Sequence, residues 1–291
     1  MNTRDFEYFL ALTQTRNFSQ TAEQFAVSQP TITTAIKRLE DSFQAQLIIR
    51  DRRHHDIGVT SAGKQLAAHA QVILQQLTLA QQEIAWDQTN KIRFGLPPII
   101  GNYFFPKIAP QLIAAGLMPQ LQTVEAGSAA LLNQIKQGDL DFALLGASGP
   151  LQEPDLTISQ IGTAPFVIIT PESDPLAQKD KVRFAELAMQ KFVTLSEAFV
   201  HTRAFTWFQQ QSAFIPNVVY QTGDVQLLKQ MVAQNVGIGF LTNHAINPDD
   251  HLAAVKLTDP KQPVFTISIV RRKDRVLTPA MQHFNQILAA N

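Results

Sequence analysis

At 291 residues the chain is long for one hydrophobic core, so two or three domains are expected. Its 45% hydrophobic and 16% charged residues exclude intrinsic disorder, and zero cysteine excludes disulfides, thiolate metal sites and cysteine nucleophiles. Net charge is zero, so no broad basic field attracts phosphate, and any DNA contact must come from local clusters.

The opening residues MNTRDFEYFL lack a long apolar run after a basic start. No later stretch approaches the roughly 20 apolar residues of a membrane span, so a soluble, cytoplasmic chain with no membrane partner is expected. A first helix is predicted over 3–14, capped by Asn2, with Phe6, Phe9, Leu10 and Leu12 facing a core. Ser19 is the expected cap of a short second helix ending at Phe25, and Ala26 and Val27 make a tight turn. Ser28 then caps a third helix, with Pro30 tolerated in its first turn because the amides there have no intrahelical partner. Two capped helices a few residues apart form a helix-turn-helix.

In the third helix Ile32, Ile36, Leu39 and Phe43 recur at spacings of 4, 3 and 4, an apolar stripe toward a core. The opposite face carries Ser28, Gln29, Pro30, Thr31, Thr33 and Thr34, with Lys37 and Arg38 beyond. Short hydroxyls and amides at a helix N-terminus reach base edges in a major groove, and the basic pair supplies phosphate contacts. The spacing alone also fits an ordinary helix pair with a solvated polar face. The next segment favours DNA: Leu47 to Arg50 is a short strand, 51–56 a charged tip with Arg52 and Arg53, and 57–60 a return strand. Such a hairpin is a wing that lies along the sugar-phosphate backbone. Residues 1–64 hold eight Lys/Arg against seven Asp/Glu, a net of +1, so affinity must be raised by several subunits on several half-sites.

On these residues the chain resembles the LysR-type transcriptional regulators. The resemblance rests on Phe9, Asn17-Phe18-Ser19 with Ala22, 27–33 (VSQPTIT) and 36–40 (IKRLE), and continues through Leu47-Ile48, Arg50 and 59–63 (VTSAG). Two departures stand out: Thr21 replaces an alanine, and Phe43-Gln44 replaces Leu-Gly where the recognition helix ends. A glycine there would take the left-handed conformation at little cost.

Residues 61–86 are predicted to form a long helix in which Leu66, Ala70, Ile73, Leu77, Ala80 and Ile84 make a heptad seam between glutamine-rich faces. A seam that narrow pairs with a copy of itself. Strands are then expected near 92–96, 121–125, 140–145, 166–170, 192–195, 218–221, 237–241 and 264–270, alternating with helices near 103–115, 129–137, 184–189, 202–211, 225–235 and 279–289. Such alternation means open α/β sheets with parallel strands.

Here too the chain resembles the LysR-type effector domain, in Leu96-Pro97 before Phe105-Pro106, in 138–143 (GDLDFA) and in Val232 with 236–241 (VGIGFL). The resemblance implies an α/β fold: a winged helix-turn-helix over 1–60, a dimerisation helix over 61–89 and a periplasmic-binding-protein-like effector domain over 90–291. Its first lobe would cover about 90–162 and 267–291, and its second about 163–266. By the same resemblance the strands crossing between lobes lie near 162–165 and 263–266.

Ligands of open α/β sheets bind beyond the carboxyl ends of the strands. That places an effector near Pro98, Ile99, Ile100, Gly127, Ser128, Ser148, Ser196, His201, Arg203 and Thr222. Ser128 reads equally as a plain helix cap, and Arg203 as a surface residue or a carboxylate clamp. Pro98-Ile99-Ile100 is apolar, so the ligand is expected to be partly apolar. No catalytic residue, metal site or cofactor is assigned: His54 and His55 are adjacent rather than at i, i+4, Gly237 and Gly239 lack a third glycine, and Ser148 sits in a hinge-like turn. Asp139 and Asp141 are expected side by side at a solvated strand start.

The expected function is that of a LysR-type regulator, a homodimer through the long helix and a homotetramer as a dimer of dimers. It would bind double-stranded DNA and respond to a small-molecule effector whose binding shifts lobe closure. Residues 31–40 and 50–55 resemble the branch that includes regulators of malolactic fermentation, which makes a small carboxylate such as malate the first effector to test. The alternatives are an enzyme or a solute receptor on the same kind of fold with an appended helix-turn-helix. An enzyme would need an acid/base or nucleophile constellation in the cleft, which these residues do not supply.

Overall fold

A computed structural model describes residues 2–50, 57–197 and 199–290, and of Arg50 the backbone alone. The chain divides into two compact units, Met1–Trp86 and Asp87–Asn291.

In the first unit α1 (Thr3–Thr15), α2 (Phe18–Gln24) and α3 (Gln29–Phe43) enclose a core of Phe6, Phe9, Leu12, Ile32, Ile36 and Leu39. Asn2 caps α1, and its side chain and that of Asp5 each accept the other's backbone amide. The second helix is capped by Asn17 and not by Ser19: the Asn17 amide oxygen accepts from the Ser19 and Gln20 amides at 2.9 and 3.1 Å. Thr21 is fully buried, yet its hydroxyl is satisfied by the Asn17 carbonyl at 2.8 Å and the Thr15 hydroxyl at 2.7 Å, which accounts for a polar residue at this position. Ser28 caps α3 as expected, and Ala26 takes a left-handed turn with φ 52.

The α3 stripe is completed by Ala35 and not by Phe43, which is 46% exposed. At the exit Gln44 itself adopts the left-handed conformation, φ 50, and its side-chain amide bonds the Asp41 carbonyl at 2.6 Å. The wing strands β1 (Ile48–Arg50) and β2 (Ile57–Val59) pair antiparallel. Glu40 holds β1 to α3 by accepting from the Leu47 and Ile48 amides. The tip at 51–56, with Arg52, Arg53, His54 and His55, lies outside the described residues.

Thr60 accepts from the Gly63 amide and so caps α4 (Ser61–Asp87). Of the predicted seam, Leu66 and Ala70 belong to the helix-turn-helix core. Ile73, Leu77 and Ile84 stay exposed, as does Val72 beside them.

The second unit is built on one ten-stranded sheet: eight strands follow the order 121–125, 92–96, 142–147, 264–272, 156–171, 238–242, 191–195 and 217–222, and off this path 252–257 pairs with 156–171 and 181–182 with 252–257. The first lobe contains β3 (Ile92–Leu96), β4 (Leu121–Glu125) and β5 (Phe142–Ala147), with α5 (Pro98–Ala114) and α6 (Ser128–Gln137). It is completed by β12 (Val264–Arg272) and α9 (Pro279–Ala289). Phe94, Phe142 and Phe284 pack edge to face where α9 covers β3 and β5. Leu131 and Ile135 of α6 close the other face over Ala143 and Leu145. Strands covered on both faces read as unbroken apolar runs, as in FALLGA of β5.

The second lobe contains β7 (Lys181–Val182), β8 (Lys191–Leu195), β9 (Asn217–Thr222), β10 (Ile238–Thr242) and β11 (Leu252–Leu257), with α7 (Val200–Gln211) and α8 (Val225–Ala233). Phe192, Phe205, Phe208 and Phe240 pack in one aromatic cluster with Phe184. Its other face is closed by Leu228 and Val232 of α8.

Several expectations are corrected. The sheet is mixed, because β6 (Leu156–Pro171) and β12 run antiparallel to their neighbours. The strand expected over 166–170 is the end of β6, 16 residues long. Its first part pairs with β12 and its last part with β10 and β11, so β6 runs through both lobes. Strands β7 and β11 were not anticipated, the helix expected over 184–189 is a short 3-10 turn (Phe184–Leu187), and α5 begins at Pro98 rather than Tyr103.

Asp141 is also placed differently from the expectation. It is buried with a fully covered carboxylate, which accepts from Arg93 at 2.8 Å and Arg275 at 3.2 Å. Arg275 in turn bonds Asp87 and the Met281 sulfur. Two arginines on one buried acid satisfy its lone pairs, so the acid serves the fold.

Candidate DNA-reading face and effector cleft

The polar face of α3 follows from its stripe. With Ile32, Ala35, Ile36 and Leu39 buried, Ser28, Gln29, Pro30, Thr31, Thr34 and Lys37 are exposed and Thr33 half-buried. The Ser28 and Thr31 hydroxyls lie 2.9 Å apart and bond one another. Arg38, expected to contact phosphate, is exposed as well, and its guanidinium donates to Asp5 at 2.6 Å. Burial works to raise the Asp5 carboxyl, but the Arg38 hydrogen bond, the Asn2 amide and the Arg38 charge hold it below the usual carboxylate range.

In the second unit a cavity of about 340 Å³ opens between the lobes. Ser128 and Leu132 of α6, the β5 exit through Ser148 to Leu151, and Glu197, Phe199 and Arg203 line it. A smaller apolar space of about 20 Å³ shares Ser128, Phe199 and Val200 with it and is walled by Ile99, Ile100, His201 and Phe265. Pro98 and Gly127 also border that space. Ser196 and Thr222 line neither: the Ser196 amide donates to the Thr222 carbonyl, and the Thr222 hydroxyl accepts from the Asp224 amide.

Ser128 does not cap α6. Its hydroxyl accepts from the Gly146 amide at 3.0 Å and so ties the helix start to β5. Gly146 is required there, since a Cβ would fall 2.5 Å from the Phe265 ring. The N-caps of α5, α6 and α7 are Pro97, Gly127 and Phe199, none of which gives a side-chain cap bond. First-turn amides and the positive ends of these helix dipoles therefore border the cleft.

His201 is 3% exposed, and burial pushes its imidazole down to about 3, so the ring is neutral. Its Nε2 accepts from the Thr242 amide at 3.1 Å, which places the proton on Nδ1. Across the lobes, Tyr103 of α5 stacks on His244 with ring centroids 3.9 Å apart, and Lys107 lies 3.4 Å over the Tyr103 ring. Burial, then the Lys107 charge, pushes His244 below its ordinary value. Sequence reasoning placed the cleft loop at 196–203 without singling out Glu197, and it missed the Tyr103–His244 contact.

Comparison with known proteins agrees with this layout. Residues 3–64 match the bacterial regulatory helix-turn-helix protein, lysR family, and residues 87–291 match the LysR substrate binding domain. The chain is 30% identical over 289 residues to the malolactic fermentation system transcriptional activator of Lactococcus lactis, covering 99% of this chain and 98% of that protein. It is 28% identical to the DNA-binding transcriptional dual regulator OxyR of Escherichia coli, covering 100% of this chain and 94% of that one. Vibrio fischeri DarR, solved in complex with DNA, is similar in fold with a TM-score of 0.56 at 21% identity, covering 99% of this chain and 98% of that chain. Both modules are matched and the named relatives are regulators, so the chain is no enzyme but belongs to the LysR family of transcriptional regulators, with an N-terminal helix-turn-helix and an effector-binding domain.

Proposed function

We propose that this regulator reads operator DNA with Gln29, Pro30, Thr31, Thr33 and Thr34 of α3 in the major groove. Ser28, Lys37, Arg38, Arg50, Arg52 and Arg53 would contact the backbone. The observation that carries this is the exposure of Ser28 to Lys37 on a helix whose other face is locked in a core. Arg38 is held by Asp5 yet remains 45% exposed, so it meets phosphate as a pre-oriented group. The exposed Val72, Ile73, Leu77 and Ile84 of α4 suit pairing with a second copy, and two such dimers would make the tetramer. The reading places the protein with DNA in the cytoplasm, with a small carboxylate effector in the cleft near Ile99, Ile100, Gly127, Ser128, Ser148, His201 and Arg203.

The test is selection of binding sites from random duplexes by wild type, Gln29→Ala, Thr34→Ala and Lys37→Ala. The first two variants should relax base preference by about 1–3 kcal/mol at a defined position. Lys37→Ala should weaken all sites alike and reduce the salt slope by about 1. Unchanged preferences in both groove variants would refute the assignment. For sensing, a reporter driven by the selected site should lose its response to cell growth conditions in Ala129→Trp, which fills the cleft mouth, while DNA affinity is kept. An unaltered response would remove the cleft from regulation.

A further inference from the structure

We infer that the cleft takes a zwitterion with an apolar body, the class of a hydrophobic α-amino acid, and not a dicarboxylate. This rests on the reading of the cleft as the sensing site.

The two charged side chains that line the 340 Å³ cavity are Glu197 and Arg203, and their formal charges cancel. Neither has an ion pair or hydrogen bond among the described residues, and they do not pair with each other. Arg203 lies in the first turn of α7, where the helix dipole disfavours a cation. The α6 start adds amides that no side chain caps. A carboxylate relieves both, and Arg203 can hold it with two parallel hydrogen bonds. A second carboxylate would meet Glu197 and be repelled, whereas an ammonium group satisfies it.

Beyond Glu197 and Arg203 the wall carries the hydroxyls of Ser128 and Ser148 and the apolar side chains of Leu132, Leu145, Leu151, Phe199 and Val200, and the apolar part gives a hydrocarbon side chain contacts that a small diacid cannot use. Each buried methylene of an aliphatic side chain tightens binding there by about four-fold. The cavity falls at the small end of the range for ligand sites, which suits an amino acid.

The experiment is calorimetric titration of the full chain with L-leucine and L-phenylalanine, with their hydroxy-acid analogues, with isopentylamine and with L-malate. The amino acids should bind about ten-fold more tightly than either analogue lacking one charge, and L-malate should not compete. Glu197→Gln should abolish the preference for the amino acid over the hydroxy acid. Arg203→Gln should weaken both carboxylates and leave isopentylamine unchanged. If L-malate binds more tightly than the amino acids and Ala129→Trp abolishes it, the cleft is a sensing site and the class assigned here is wrong. Silence toward every probe also overturns the class, while the reporter response of Ala129→Trp decides separately whether the cleft senses at all.

Discussion

Arg38 on the recognition helix donates to Asp5 on α1 at 2.6 Å, and the carboxylate it meets is fully covered while the guanidinium is half exposed. The pair fixes the angle between α1 and α3 and thereby the direction in which the DNA-reading face points. Because the folded Asp5 carboxyl is held below its unfolded value of about 3.9, its stabilisation is present above that pH and is lost as pH falls through the folded value. Asp5→Asn should therefore unfold at lower temperature than wild type at pH 7. The gap should close on acidification below about pH 4. A gap that persists there would show that the charge of Asp5 is not what matters.

Gly63 sits where α4 begins, under the wing, and a Cβ there would lie 2.3 Å from the Leu47 carbonyl and 2.8 Å from the Val59 side chain. Backbone cannot yield as a side-chain tip does. Gly63→Ala should destabilise the first unit by about 1–3 kcal/mol and weaken DNA binding through displacement of the wing. Unchanged denaturant midpoint and DNA affinity would refute the close approach.

The buried Asp141 joins Arg93 to Arg275, which reaches on to Asp87. Asp141→Leu removes the buried carboxylate that the two arginines share and should cost about 3–5 kcal/mol. Asp87 is 35% exposed, so Asp87→Ala should cost only about 1 kcal/mol. Thermal unfolding of both variants checks the order, and equal losses would contradict the burial argument.

His201 is neutral in the folded chain down to about pH 3, whereas an unfolded histidine titrates near 6.5. Between these values the unfolded chain binds a proton that the folded chain refuses. Stability therefore falls on acidification through this window, by about 1.4 kcal/mol per pH unit for this group. His201→Gln retains an acceptor for the Thr242 amide and lacks the proton uptake. Its stability should depend less steeply on pH between about 4 and 6; parallel curves would mean that His201 titrates in the folded state.

How much could be read in advance depends on how local each signal is. The α3 stripe from Ile32 to Leu39 and the β3, β4 and α9 bounds were legible because periodicity and caps lie within a few residues of one another, whereas Phe43 fits the period but falls at the exposed helix exit. Asn17 and Ser19 are both competent caps two residues apart, and the choice was settled by Thr21, whose hydroxyl needs the Asn17 carbonyl. The first ten residues of β6, LTISQIGTAP, do not alternate, since they cross between lobes half exposed. Asp141 looked like the neighbour of Asp139, but its partners lie 48 and 134 residues away. No local pattern announces Glu197, which acquires meaning only when the chain folds it toward Arg203 and the α6 start.

The continuous β6–β12 ladder has a mechanical consequence. Val264–Arg272 pairs with Leu156 through Pro165, so the lobes are joined by a hydrogen-bonded ribbon, not by two slack strings. Such a ribbon resists splaying, because opening it breaks several backbone hydrogen bonds together, yet it twists readily, above all at the bulge beside Ile267 and Ser268. Any rotation of one lobe about the ribbon axis therefore works against a torsion spring, and it would have to slide or part Tyr103 and His244, which already stack across the lobes.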